Sequence, residues 1–138
     1  MGSKKIIVDT NIWISFLITN NFPGLGEWIK SGRIRIVYSD ELLEEFLLVA
    51  KRPKFRKHFT TKDIQQIFAL YEYYGDHFLV DIEVNECRDL KDNFLLSLAV
   101  KSDADFLLTG DHDLLTIKQI GKTKITSWID FQLFFSEI

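Results

Sequence analysis

A chain of 138 residues, 46% hydrophobic and 14% aromatic, can fill one core of its own; this excludes a disordered chain and leaves little room for a second domain. Its net charge of −3 argues against a general nucleic-acid binder, which is usually basic, yet Lys51, Arg52, Lys54, Arg56 and Lys57 place five positive charges within seven residues and leave −8 for the remainder. The lone cysteine, Cys87, cannot form an internal disulfide, no apolar run reaches the roughly 20 residues of a membrane span, and no signal-peptide pattern opens the chain, so a cytoplasmic protein with no membrane partner is expected.

In chain order, the β-branched run Ile6-Ile7-Val8 reads as a buried strand that ends at Asp9-Thr10-Asn11. A helix over Ile12 to Ile18 follows, then a break at Asn20 to Gly24, a helix from Leu25 to Lys30, and a second strand over Ile34 to Tyr38. Asp40 to Lys51 reads as a helix capped by Ser39 or Asp40 and stopped by Pro53. Thr60 to Asp63 is a capping signal for a helix to about Tyr74, closed by Gly75, with a third strand over Phe78 to Asp81. After a polar loop at Glu86 to Lys91, Asp92 opens a helix through Ser102, and Phe106 to Leu108 forms a fourth strand ended by Thr109-Gly110-Asp111. Asp113 would cap a short helix to about Ile120, Lys124 to Thr126 would be a fifth strand, and Ser127 would begin a last, Phe-rich helix. Strands alternating with helices in this way indicate an α/β fold, a central parallel sheet of about five strands with helices on both faces.

Sites in such sheets form outside the carboxyl ends of the strands. Asp9 ends the first strand, Asp111 follows the fourth, and Asp92 opens the helix that feeds the fourth, so acids from distant parts of the chain share one edge. A further acid comes from the helix after the second strand. At roughly 100° per residue Leu42, Leu43, Phe46, Leu47, Val49 and Ala50 form one stripe. Glu41 and Glu44 fall opposite it, whereas Glu45 falls at its margin and is best placed to reach inward. Carboxylates gathered in this way repel one another unless a hard divalent cation such as Mg²⁺ offsets their charge. Taken singly, Asp9, Asp92 and Asp113 also suit helix N-caps, and Glu45 suits a solvated helix face. Zinc lacks a His or Cys cluster, since His58, His77, His112 and Cys87 are scattered, and no phosphate-cradling glycine motif is present.

At these residues the chain resembles the PIN-domain family, and within it the VapC-like toxins of toxin–antitoxin pairs. The resemblance covers nearly the whole chain in four ordered blocks: Ile7-Val8-Asp9-Thr10-Asn11; Leu42-Leu43-Glu44-Glu45-Phe46 with Lys51-Arg52-Pro53-Lys54-Phe55; Cys87 to Asn93 leading into Phe94-Leu95-Leu96-Ser97-Leu98-Ala99; and Ala104 to Leu115, which contains Thr109-Gly110-Asp111-His112-Asp113. It implies a three-layer α/β/α sandwich and an endoribonuclease that needs one or two Mg²⁺ or Mn²⁺ ions. By block match Asp9, Glu45, Asp92 and Asp111 fall on the family's acidic positions, Asp113 is a fifth metal-ligand candidate, and Asn11 and Thr109 are similar to residues that orient the carboxylates. The one departure is Leu90, where relatives often carry Pro, which bears on the loop around Asp89.

An acidic centre repels RNA, so phosphate contacts must come from elsewhere, and the run Lys51, Arg52, Lys54, Arg56 and Lys57 is the RNA-binding candidate, with Phe55 or Phe59 placed to stack on a base. The competing reading of that run is a solvated loop over a buried Phe55. Trp128, Phe131, Phe134 and Phe135 share one helix face; core packing is the first reading, and a homodimer or antitoxin surface the second. The alternative to a nuclease is a catalytically idle PIN scaffold that binds RNA or protein. A phosphoryl-receiver domain would put an acceptor Asp at the end of a central strand near mid-chain and a Lys after a late strand, and Asp81 has no such neighbours in the sequence.

Overall fold

Ile6, Ile7 and Val8 have no exposed surface, and their alternation assigns them to opposite faces of a sheet: Ile6 and Val8 join one apolar cluster, Ile7 the other. In this computed structural model, which describes residues 3–19, 23–85 and 90–136, they belong to strand β1 (Lys4–Val8). After it come helices α1 (Thr10–Thr19) and α2 (Pro23–Lys30), strand β2 (Ile34–Tyr38), and helices α3 (Asp40–Ala50), α4 (Pro53–Arg56) and α5 (Thr61–Tyr74). Strand β3 (Gly75–His77), helix α6 (Leu90–Ser102), strand β4 (Phe106–Leu108) and helix α7 (His112–Ile117) follow, then strands β5 (Gln119–Ile120) and β6 (Thr123–Thr126) and helix α8 (Trp128–Ser136).

Among the described residues the sheet has six strands in the order β3-β2-β1-β4-β6-β5, all parallel to their neighbours except β5, which pairs antiparallel with β6. The α/β sandwich is the one expected, with six strands in place of about five and one of them antiparallel. The additional strand, β5, arises where the expected helix to Ile120 stops at Ile117 and a two-residue turn at Gly121-Lys122 folds the chain back. The third strand also lies earlier than Phe78 to Asp81. Arg35 on β2 donates from Nε and Nη2 to Asp76 Oδ1 at 2.9 and 2.7 Å, which holds Gly75–His77 beside β2.

Two layers of helix cover the sheet. One apolar cluster joins Ile6, Val8, Ile34, Ile36 and Phe106 to α1, α2, α3, α5 and α8, and the other joins Ile7, Val37 and Leu107 to α6 and α7. Helix α8 contributes Phe131 and Phe135, whose rings meet Phe106 at 5.1 Å and Trp28 at 4.7 Å respectively. Burial of each such ring stabilises by roughly 1.5–3 kcal/mol. Core packing thus accounts for Phe131 and Phe135, while Trp128 is half-buried and Phe134 exposed at the margin.

Caps fix the helix starts. Ser39 Oγ accepts from Leu42 N, so it rather than Asp40 caps α3, and Thr60 and Asp63 form the expected reciprocal box at α5. Pro53 ends α3 but also opens α4, which carries Lys54 and Arg56. Gly75 ends α5 in an extended conformation (φ −98°, ψ 156°) instead of a left-handed one. The reason for glycine is space: a Cβ there would meet the Tyr71 carbonyl oxygen and lie 2.8 Å from Tyr38 Cε1. Gly75→Ala is therefore expected to lower stability by about 1–3 kcal/mol through overpacking. Urea unfolding followed by tryptophan fluorescence checks this, and a midpoint equal to wild type would contradict it.

Candidate metal centre

Strand β1 hands the chain to α1 at Asp9, whose backbone N–H still donates to Leu108 O at 2.9 Å. That bond continues the β1–β4 register by one residue and sets Asp9 beside Thr109. Thr109 Oγ1 then donates to Asp9 Oδ2 at 2.8 Å and accepts from Asp111 N at 3.0 Å. Both Asp9 and Thr109 are buried, so the pair is shielded from water.

Asp111 is the N-cap of α7, and its Oδ1 accepts from Asp113 N at 2.8 Å. The expectation that Asp113 caps this helix is corrected: the helix begins one residue before it, at His112, so the capping position falls to Asp111. Asp92, expected to open its helix, lies instead in the first turn of α6, which starts at Leu90. Asp92 is 2% exposed although it is a carboxylic acid, whereas Asp111 and Asp113 are partly exposed. One carboxylate oxygen from each of these three residues lies within 4.8 Å of the other two.

This donor set fits a divalent cation. Two oxygens on opposite sides of one Mg²⁺ stand about 4.2 Å apart, so three within 4.8 Å can share one ion with little movement. All three are hard oxygen donors, and the group has no imidazole or thiolate that would favour zinc. His58, His77 and His112 are exposed, and His77 Nε2 lies 2.9 Å from Asp40 Oδ1.

The other expected site residues are placed as follows. Asp9 adjoins the group through Thr109 but is not one of its three members. Glu45 is half-buried on α3 and also outside the group, while Glu41 and Glu44 are exposed, as helix phase requires. Asn11 is exposed, and no hydrogen bond from its side chain to a carboxylate is found among the described residues. Asp89 and Cys87 lie outside the described residues. Lys51, Arg52, Lys54, Arg56 and Lys57 are all exposed and have no ion pair among the described residues. Phe59 is buried in the core and Phe55 is half-buried against it, so neither ring stands clear of the protein.

Sequence reasoning missed the aromatic support under Asp9. Trp13, one turn along α1, donates from Nε1 to Tyr71 Oη at 2.7 Å in full burial. Only the shared apolar character of Trp13 and Tyr71 was visible in sequence, and it carries no sign of their pairing. Burial raises the Tyr71 pKa far above its ordinary value near 10, the Trp13 bond opposes the rise, and the negative charge of Asp9 adds to it.

Acids thus gather at the carboxyl ends of the central strands of an α/β sheet. The profile of the PIN domain matches residues 5–113, and the chain belongs to that family, whose members are generally nucleases that use divalent metals. An uncharacterized protein of Methanocaldococcus jannaschii is 31% identical over 121 residues, 86% of this chain and 77% of that protein. Among solved structures, the PIN domain endonuclease Utp24 superposes with a TM-score of 0.54 at 16% identity, over 89% of this chain and 84% of that one. The PIN domain of human SMG5 gives 0.51 at 13% identity, over 95% and 98%. At these identities the two structures speak to the fold. No helix among the described residues is long and apolar enough to cross a membrane.

Because Tyr71 is raised, its neutral form is the one the fold favours. Its contribution is fully present below about pH 10 and is lost as the pH climbs through the raised folded value. Alkaline titration at 295 nm is expected to show one phenol ionising late and together with unfolding, and Tyr71→Phe is expected to remove that late step. Retention of the late step in the variant would assign it to another tyrosine.

Proposed function

We propose that the chain is a metal-dependent endoribonuclease that hydrolyses RNA phosphodiester bonds. The observation that carries this reading is the convergence of Asp92, Asp111 and Asp113 oxygens within 4.8 Å, beside a buried Asp9, in a member of the PIN family. Asp92, Asp111 and Asp113 would hold Mg²⁺ or Mn²⁺, with buried Asp9 and half-buried Glu45 as further acids of the site. A divalent cation there supplies the positive charge that offsets a phosphodiester and the negative charge that develops on it during hydrolysis. Thr109 holds Asp9 Oδ2 in one orientation, and through its bond from Asp111 N it ties the orientation of two acids to one hydroxyl. Half-buried Glu45 is suited to accept a proton from an attacking water. The exposed cations from Lys51 to Lys57 supply the phosphate contacts that an acidic crevice cannot. Membership of a toxin–antitoxin pair, and hence a protein antitoxin, rests on the resemblance of the four sequence blocks alone.

Incubation of purified protein with mixed RNAs, with and without Mn²⁺ or Mg²⁺, tests the reading. Asp9→Asn, Glu45→Gln, Asp92→Asn and Asp111→Asn are each expected to lower the cleavage rate by at least about a hundredfold, whereas Glu44→Gln leaves it near wild type. Loss of cleavage in Glu44→Gln but not in Glu45→Gln would reverse the assignment on α3. RNA binding without any metal-dependent cut would favour the idle scaffold.

Thermal melts give a second test. Two unit charges 4.8 Å apart at an effective dielectric near 20 repel by about 3 kcal/mol before solvent screening, so the metal-free centre works against the fold. In chelator, Asp92→Asn is expected to melt above wild type. Mn²⁺ at a hundred times its Kd is expected to stabilise wild type by about 2.7 kcal/mol and the variant by less. A wild type whose melting point ignores Mn²⁺ would remove the metal centre.

A further inference from the structure

Lys51 and Arg56 of the basic run border a groove of about 480 Å³ between the end of α3 and the start of α5. Leu47, Ala50, Phe59 and Ile64 line its floor, and Lys51 and Arg56 stand at its rim. The volume lies within the range of about 300–1,000 Å³ that accepts small planar ligands. Both rim cations are exposed, with no carboxylate paired to either among the described residues. An apolar floor under unpaired positive charge suits a group that is flat and uncharged on one side and anionic on the other.

We infer that this groove seats one unpaired nucleotide of the RNA, its base on the apolar floor and a phosphate on Lys51 and Arg56. The inference rests on the nuclease reading and adds this groove to it as a nucleotide subsite. Position supports it. Lys51 caps the C-terminus of α3, six residues beyond Glu45 and about 9 Å along the helix axis, so the groove and the proposed proton acceptor share one element. Arg56 presents a planar fork that matches phosphate oxygens in pairs. A base within a duplex would have to leave its stack to enter, whereas an unpaired base enters freely. The groove thus does work that a diffuse basic patch cannot, since a patch attracts any polyanion and this site requires a free base.

Two double variants separate these cases with equal loss of charge. Lys51→Ala/Arg56→Ala strips the groove rim, whereas Lys54→Ala/Lys57→Ala removes two exposed cations that do not line it. Binding of a fluorescent 12-nucleotide oligo-U strand and of a blunt RNA duplex is read by anisotropy in chelator, where nothing is cut. The rim variant is expected to bind the single strand at least about tenfold more weakly than wild type, and the Lys54/Lys57 variant, which loses general phosphate contacts but no groove, about threefold more weakly. On the duplex the two variants are expected to lose equally. Equal losses on the single strand, or a wild type that does not bind it, overturn the inference. A labelled oligo-glutamate peptide is the third probe: if the rim variant loses that peptide while it keeps RNA, the groove belongs to an acidic protein and the inference falls. Wild type that binds oligo-U yet never cuts RNA with Mn²⁺ or Mg²⁺ would remove the nuclease reading and leave this comparison intact. Matching thermal melts for both variants confirm that each is folded.

Discussion

Strands β1 and β4 lie side by side although about a hundred residues separate them, and side chains fasten both ends of the pair. At the start, Asp105 Oδ2 accepts from Lys5 N at 2.8 Å while Asp105 N donates to Lys5 O at 2.7 Å. At the finish, Thr109 Oγ1 donates to Asp9 Oδ2. Between them run three register pairs, Ile6 with Phe106 to Val8 with Leu108, all buried. Slippage by one residue would send Ile7 and Leu107 to the wrong face and would part Asp9 from Thr109. The acidic crevice and the core are therefore set by a single register.

That dependence explains which parts were legible in sequence. Ile6 to Val8, Ile34 to Tyr38 and Phe106 to Leu108 are apolar runs whose burial on both faces leaves a local trace, and each is a strand. The phase of α3 likewise separated exposed Glu41 and Glu44 from half-buried Glu45. Phe78 to Asp81 misled for the same reason in reverse. Its apolar residues look like a strand, yet Gly75, Asp76 and His77 take the ladder because Arg35 reaches Asp76. That contact joins residues 41 apart and has no local signature. Strand β5 is only two residues long, too short for any period to show.

The candidate site divides in the same way. An acid after each central strand was readable, because the end of a strand is a local event. Which acids meet was not. Asp113 lies in the first turn of α7, just past the Asp111 cap, and there it meets Asp92 and Asp111. The buried Trp13–Tyr71 bond that braces the helix after Asp9 spans 58 residues, and apolar periodicity records only that both are inside. Family resemblance named Asp9, Glu45, Asp92 and Asp111 with Asp113 as a fifth candidate, whereas distance groups Asp92, Asp111 and Asp113.

The two edges of the sheet have a consequence of a different kind. One edge strand, β3, has three residues and the other, β5, has two. A longer, flatter border would present a row of unused amide and carbonyl groups to any passing chain and invite it to add on, copy after copy. Here the border ends after a few bonds. At β3 an ion pair between Arg35 and Asp76 sits beside it, and at β5 the turn through Gly121, with φ at +55°, folds the chain away. In a chain this rich in phenylalanine and isoleucine, such short borders offer few free backbone groups to a second copy.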